Sequence, residues 1–224
     1  MTGGRSGIGA AIVAALEAEG TDVEVLDLAD GFDVSSPRDW ESVPPAELVC
    51  LNAGVLTGES DIRLLGDDEY SRAVRTNVDG VVFGVRQLAP LMPRGGAFVV
   101  TASLAGLTPM PSDPIYTLTK HAVVGFVRAV APQLLERGLR INAVCPGIVD
   151  TPMLDRAGQR AVFEAARFPL LRAEEIAASV LVAAQSEETG QVWAVQPGRE
   201  PLQFRFPNVP GPRVEGAEGT LPPL

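Results

Sequence analysis

Tyr116 and Lys120 stand four residues apart, which puts a phenol and an amine on one face of a helix. Ser103 lies thirteen residues before the tyrosine, at the end of an apolar run. Taken alone, such a pair is common on helix surfaces. The start of the chain offers a second constellation, Thr2-Gly3-Gly4-Arg5-Ser6-Gly7-Ile8-Gly9, opening directly into a helical pattern. Glycines there let the backbone approach a pyrophosphate, whose charge is favoured by the unpaired N–H groups and positive end of the helix. A glycine-rich turn before a helix is also often only a turn. Asp27, 18 residues after Gly9, adds an acceptor for the adenosine ribose of NAD and a charge that would repel a 2′-phosphate. Without the glycines, Asp27 would read as a solvated acid. Arg5 reads either as a contact to such a phosphate or as a solvated loop cation.

The remaining chemistry is sparse. His121 is the single histidine, points about 100° away from Lys120 on the same helix, and reads as a surface or interface residue. A His-rich metal site or a Ser-His-Asp triad has almost nothing to draw on, and no metal site is expected. Cys50 and Cys145 sit in apolar runs, as buried thiols in a reducing compartment would. Trp40 and Trp193 read as packing residues. The formal net charge of −10 disfavours a nucleic-acid backbone or an anionic membrane as partner. No apolar run approaches the roughly 18 residues of a membrane span, and Met1 starts no basic and apolar leader, so a cytoplasmic protein is expected.

These residues need elements to hold them. Helical spacing of Ile8, Ile12 and Leu16 before Gly20 predicts a helix over 7–19, and strands are expected at 23–28, 48–51, 97–102, 139–145 and 191–195. Between them, Ser36-Pro37 opens a short helix ended by Pro44 and Pro45. Longer helices are expected at 67–92, 116–137 with a bend at Pro132, and 173–184. Strands alternating with helices predict an α/β fold, a doubly wound parallel sheet in a single domain. From Pro197 to Leu224 there are 7 prolines and 4 glycines, which predicts an arm without regular structure.

The ordered set Thr-Gly-x-x-x-Gly-Ile-Gly at 2–9, Asp33-Val34, Asn52-Ala53-Gly54, Asn77, Ser103, Tyr116-x-x-x-Lys120, and Pro146-Gly147 followed by Thr151-Pro152-Met153 resembles the short-chain dehydrogenase/reductase family, classical type. The resemblance runs from Thr2 to about Gly198. It implies a Rossmann-like dinucleotide-binding domain over 1–198 with residues 199–224 as a tail, and hydride transfer between a nicotinamide cofactor and a secondary alcohol or ketone. Tyr116 would be the general acid/base, with the Lys120 ammonium favouring its phenolate and holding the nicotinamide ribose. Ser103 would hydrogen-bond the substrate oxygen, and Asn77 would hold a water linking Lys120 to solvent. The cofactor would contact Gly3, Arg5, Ser6, Gly7, Ile8, Gly9 and Asp27. Asp33 and Val34 would meet its adenine, and Asn52, Ala53 and Gly54 its adenosine side. Pro146, Gly147, Ile148 and Thr151 would hold the pyrophosphate and nicotinamide end. NAD is expected ahead of NADP.

The chain departs from the family at its start, where a hydrophobic first strand would lie between the strands ending at Asp27 and Asn52. Its loss would remove burial comparable to the stability of a whole domain, so Met1 is expected to reflect a misplaced start, such as a GTG codon within Val-Thr-Gly-Gly. An impaired or non-catalytic dinucleotide-binding protein is the alternative. An extended-type epimerase is opposed by the glycine spacing and the length. Leu51 replaces a usual asparagine, the stretch between Val34 and Leu48 is short, and Val195-Gln196-Pro197-Gly198 replaces a frequent Asp-Gly-Gly. Family oligomers would use the helices at 67–92 and 116–137, which implies a homodimer or homotetramer. Leu104, Leu107, Met110, Met153, Leu154, Phe163 and Phe168 are the expected lining of an apolar substrate pocket.

Overall fold

The computed structural model describes residues 1–214 apart from Ala157 and Val209. The last ten residues of the expected tail, Glu215 and Glu218 among them, lie outside the described residues. In chain order the elements begin with α1 (Gly7–Ala18), α2 (Pro37–Trp40), β1 (Leu48–Leu51), α3 (Asp67–Val74) and α4 (Gly80–Leu88). They continue with β2 (Ala97–Thr101), α5 (Pro114–Glu136), β3 (Arg140–Pro146), α6 (Pro152–Arg156) and α7 (Arg160–Ala165). The last are α8 (Ala173–Gln185), β4 (Val192–Val195) and β5 (Leu202–Gln203).

Strands β1 to β4 pair in parallel in that order, and β5 adds an antiparallel edge. Their runs are mostly apolar because both faces are covered, and every residue of β2 is buried. Alternation within the strands then splits the core in two. Phe98, Val100, Ile141 and Ala143 meet Trp40, Val81, Val85, Val123 and Val127 on one face, while Val99 and Val144 meet Ile12, Leu16, Ile176 and Val180 on the other. This is the expected doubly wound arrangement, with an antiparallel edge added to the parallel sheet.

Three expectations need correction. Residues 23–28 form no strand: only an isolated bridge joins Thr2 to Leu26. A ladder needs a partner along its length, and the neighbour here is Met1 and Thr2, reached by Leu26 N–H to Met1 O at 2.8 Å and Gly3 N–H to Leu26 O at 2.9 Å. On its other side Thr2 N–H donates to Cys50 O at 3.0 Å, so these two residues occupy the position between Leu26 and β1 where a first strand was expected. The helix expected at 67–92 is broken by a π-helical turn over Arg75–Asp79 and stops at Leu88, because Pro90 supplies no N–H and crowds the carbonyl four residues back. Helix α5, by contrast, continues through Pro132.

The third correction concerns the arm. Leu202 and Gln203 pair with Ala194 and Trp193, so the arm begins as a strand closing the β4 edge. Phe204 and Phe206 then pack against the core, edge to face at 5.0 Å, with the Arg128 guanidinium 3.7 Å from the Phe206 ring centre. Two edge-to-face aromatics and a cation on α5 outweigh the disorder that the prolines predict. Among the described residues no helix is long and apolar enough to cross a membrane.

Cys50 and Cys145 are free and buried, and burial pushes their thiols up to about 11 and about 12. Both stay protonated in the fold while the unfolded chain ionises from 9.0, so their contribution is complete below pH 9 and is lost as pH rises above it. Lys120, pulled down to about 8 by burial, acts oppositely, relieving a cost between about 8 and 10.5. Between pH 9 and 10 the two thiols outweigh the one amine, so stability falls as pH rises. A buffer series of thermal midpoints across this range should show the fall; a midpoint that holds level or rises would contradict the burial of the thiols.

Candidate functional site

A cleft of about 400 Å³ opens at the carboxyl ends of β1, β2 and β3, where the loops after parallel strands leave the sheet. Its floor is the turn into α1. Thr2, 2% exposed, accepts from the N–H groups of Asn52 and Ala53 through its hydroxyl, and the Asn52 side chain donates to Gly3 O at 3.3 Å. The turn is thus bolted to the end of β1. Gly3 and Gly7 have φ of 65° and 51°, and a Cβ on Gly7 would lie 3.2 Å from the Thr151 methyl, so the backbone approaches the cleft bare.

Asp27 lines the cleft as the cap of a single 3-10 turn. Its carboxylate accepts from Arg5 N–H and Ala29 N–H, both at 3.0 Å, with lone pairs left for a ligand hydroxyl. The Arg5 side chain turns instead to Asp30, Nε to Oδ2 at 2.6 Å. Asp33 caps Ser35 N–H at 2.8 Å and lines the cleft beside Val34.

Tyr116 and Lys120 enter from α5, whose first turn is opened by the Asp113 cap and Pro114; the cap-and-proline signal at 113–114 was legible and places the helix start two residues before the expected one. Ser103 follows β2 and accepts from Ala105 N–H at 3.1 Å, leaving its own proton free to be donated. Lys120 Nζ donates to Thr101 O at 2.9 Å and sits 5.5 Å from the centre of the Tyr116 ring. Burial pushes the Tyr116 phenol up to about 12, against an opposing hydrogen bond from Ser103. Desolvation is the larger effect on the phenol, and the same burial holds the Lys120 amine at about 8.

Asn77 sits in the π-helical turn, 1% exposed. Its amide accepts from Val55 N–H at 2.8 Å and donates to Val55 O at 2.9 Å and to the Thr119 hydroxyl at 3.0 Å. Thr119 in turn donates to Tyr116 O at 2.8 Å. Of the site residues expected from sequence, Arg5, Gly9 and Asn77 stand behind or beside the cleft wall, and the others line it, Ser6, Ile8, Ala53, Gly54, Pro146, Gly147 and Ile148 included.

The expected substrate lining is corrected. Met110, Met153 and Leu154 line the cleft, whereas Leu104 and Leu107 pack on the core and Phe163 and Phe168 pack on each other at 5.6 Å. Val55 and Leu56 take their place, with Arg156 and Gln159 at the same cleft. Nothing in the local pattern of 55–56 marks a pocket wall; they are brought there by Asn77.

A family model described as enoyl-(acyl carrier protein) reductase matches residues 40–199. A 3beta-hydroxysteroid dehydrogenase of Mediterraneibacter gnavus is 33% identical over 154 residues, covering 66% of this chain and 56% of that protein. A 2,5-dichloro-2,5-cyclohexadiene-1,4-diol dehydrogenase of Sphingobium indicum is 31% identical over 185 residues, covering 70% and 74%. Levodione reductase superposes with a TM-score of 0.78 at 27% identity, over 88% of this chain and 95% of the other. The chain therefore spans little more than half of the first of these relatives, and it shares the fold of levodione reductase over most of both chains. Oxidoreductases acting on hydroxyl or keto groups are what these proteins have in common, and this chain belongs to the same family, the classical short-chain dehydrogenases/reductases.

Proposed function

We propose that the protein interconverts an apolar secondary alcohol and its ketone with NAD as the preferred dinucleotide. The observation that carries this reading is the convergence of Ser103, Tyr116 and Lys120 on the cleft whose floor is the bare glycine turn. The residues present fit a dinucleotide. A cradle that Cβ atoms would fill stands at Gly3 and Gly7, next to a helix N-terminus, and an acid stands where a ribose would lie.

In oxidation the Tyr116 oxygen takes the proton of the substrate hydroxyl, and in reduction it returns one to the carbonyl oxygen. When bound, the nicotinamide supplies or accepts the hydride. Ser103 donates to the substrate oxygen and fixes its distance from the phenol. Lys120, now bonded to Thr101 O, would hold the ribose hydroxyls of a bound dinucleotide and, with a water on the remaining acceptor capacity of Asn77 Oδ1, would return protons to solvent. The apolar wall of Val55, Leu56, Met110 and Met153 excludes water and favours a substrate with little polarity near the reacting carbon. Two buried free thiols fit a reducing, cytoplasmic setting, and exposed Tyr70 and Leu118 on α3 and α5 fit a homodimer or homotetramer.

Cofactor choice follows from charge. Asp27 repels a 2′-phosphate, and Arg5, the cation that would attract one, is engaged by Asp30. Titration of the chain with NADH and NADPH should show tighter binding of NADH. Asp27→Asn keeps an acceptor but removes the charge, and should shift the NADH-to-NADPH ratio of dissociation constants by about tenfold or more toward NADPH. An unchanged ratio would remove Asp27 as the determinant, and binding of neither dinucleotide would overturn the proposed function.

A further inference from the structure

Asp113 is a carboxylate only 2% exposed, and among the described residues no cation pairs with it. Four donors compensate its burial instead. Oδ1 accepts from Tyr116 N–H at 2.9 Å and from the Thr57 hydroxyl at 2.7 Å; Oδ2 accepts from Thr57 N–H at 2.8 Å and Gly58 N–H at 3.0 Å. A helix cap needs one such acceptor, which serine or asparagine also supplies. The second oxygen is committed to a loop 55 and 56 residues away in sequence. That loop carries Val55 and Leu56 to the cleft, and its other end is clamped by Asn77.

We propose that Asp113 is a positioning residue for the reaction, its buried carboxylate tying the Thr57–Gly58 loop to the backbone of Tyr116 and so holding the Val55–Leu56 wall in register with the phenol. The inference rests on the reading of Tyr116 as the proton-exchanging group. Its electrostatic corollary concerns the same phenol. The groups facing Tyr116 are Ser103 after β2, Cys145 on β3, whose thiol stays neutral, Lys120 on α5 and Asp113 at the cap of α5. Asp113 is the one anion of this set, and it opposes formation of the phenolate. Loop position and proton affinity therefore depend on one carboxylate.

Asp113→Asn tests both. Its carbonyl oxygen can still cap Tyr116 N–H, while the amide NH₂ faces the two loop N–H donors and the charge is gone. In the full chain, kcat and KM for alcohol oxidation across pH are measured with the NADH dissociation constant and the thermal midpoint, beside Thr57→Val and Tyr116→Phe. Asp113→Asn should lower kcat about tenfold or more and raise substrate KM, with NADH affinity changed by less than about twofold. The midpoint of the rising pH limb of kcat should move down by about half a unit or more. Thr57→Val, which keeps the charge, should lower kcat with the limb in place. A kcat changed by less than about twofold and an unmoved limb in Asp113→Asn would reduce Asp113 to a helix cap, whatever the thermal midpoint does. If Asp113→Asn does not fold, Thr57→Val decides alone: a loss of kcat at native NADH affinity supports the coupling, and an unchanged kcat overturns it. Turnover surviving in Tyr116→Phe would overturn the reading on which the inference stands, before Asp113 is considered.

Discussion

Tyr116→Phe should lose turnover of alcohols and ketones by at least about a hundredfold while binding NADH as the native chain does. The substitution removes one oxygen from a side chain that is 9% exposed and whose ring keeps its packing on α5 and its place beside Lys120. Nothing in the glycine turn, at Asp27 or at Asn52 contacts that oxygen, so the dinucleotide side of the cleft stays formed. The thermal midpoint should hold or rise slightly, because a buried hydroxyl leaves with only Ser103 as its partner. Ser103→Ala should cost less, since it removes a hydrogen bond to the reacting oxygen but not the proton itself. The decisive measurement is single-turnover hydride transfer with NADH and a panel of cyclic and linear ketones. Turnover of Tyr116→Phe within about tenfold of the native chain would show that the phenol does not exchange the proton.

Much of this architecture was legible in the sequence because its causes are local. The run at 48–51 is apolar throughout, and those at 97–101 and 140–146 are broken only by Thr101, Arg140 and Asn142, since both faces are buried; such runs announce themselves without knowledge of their partners. The glycine turn, the Tyr116–Lys120 spacing and the acid at 27 are likewise visible as residue types and spacings in the chain itself. What was not legible depends on partners distant in the chain. Residues 23–28 carry a strand pattern but have only Met1 and Thr2 beside them. Leu202 and Gln203 carry no strong pattern, yet they find an open edge at β4. The π-helical turn at Asn77 and the carboxylate of Asp113 answer to Val55 and Thr57, 22 and 56 residues away, and no periodicity reports a pairing of that range. The substrate lining is hidden for the same reason: nothing local distinguishes Phe163 and Phe168, which pack on each other, from residues of a pocket wall.

Gly9→Ala should lower both stability and dinucleotide binding, and the reason is distance rather than backbone freedom. Gly9 lies within the first turn of α1, where alanine is the better helix former, so propensity alone predicts stabilisation. A Cβ there would stand 1.9 Å from Gly3 O and 2.9 Å from the Asn52 side-chain nitrogen. The carbonyl cannot rotate aside: Gly3 is held at both ends, by its N–H to Leu26 O and by the Asn52 amide on its oxygen. The turn must therefore open, which withdraws the N–H groups that would face a pyrophosphate and loosens the bolt between α1 and β1. Overpacking of this kind costs about 1–3 kcal/mol, a fall of roughly 3–10 °C in the thermal midpoint for a chain of this size. NADH affinity should fall by at least about tenfold beyond that, since the cradle itself is displaced. Gly125→Ala supplies the control. It makes the same chemical change inside α5, where a Cβ meets nothing within 4 Å, and should stabilise by about 1 kcal/mol. One methyl group would then act with opposite signs at two helical glycines, and the difference would isolate the close approach at Gly3. Equal midpoints and equal NADH affinity for the two variants would mean that the turn has room for the methyl, and with it that the floor of the cleft is not the backbone described.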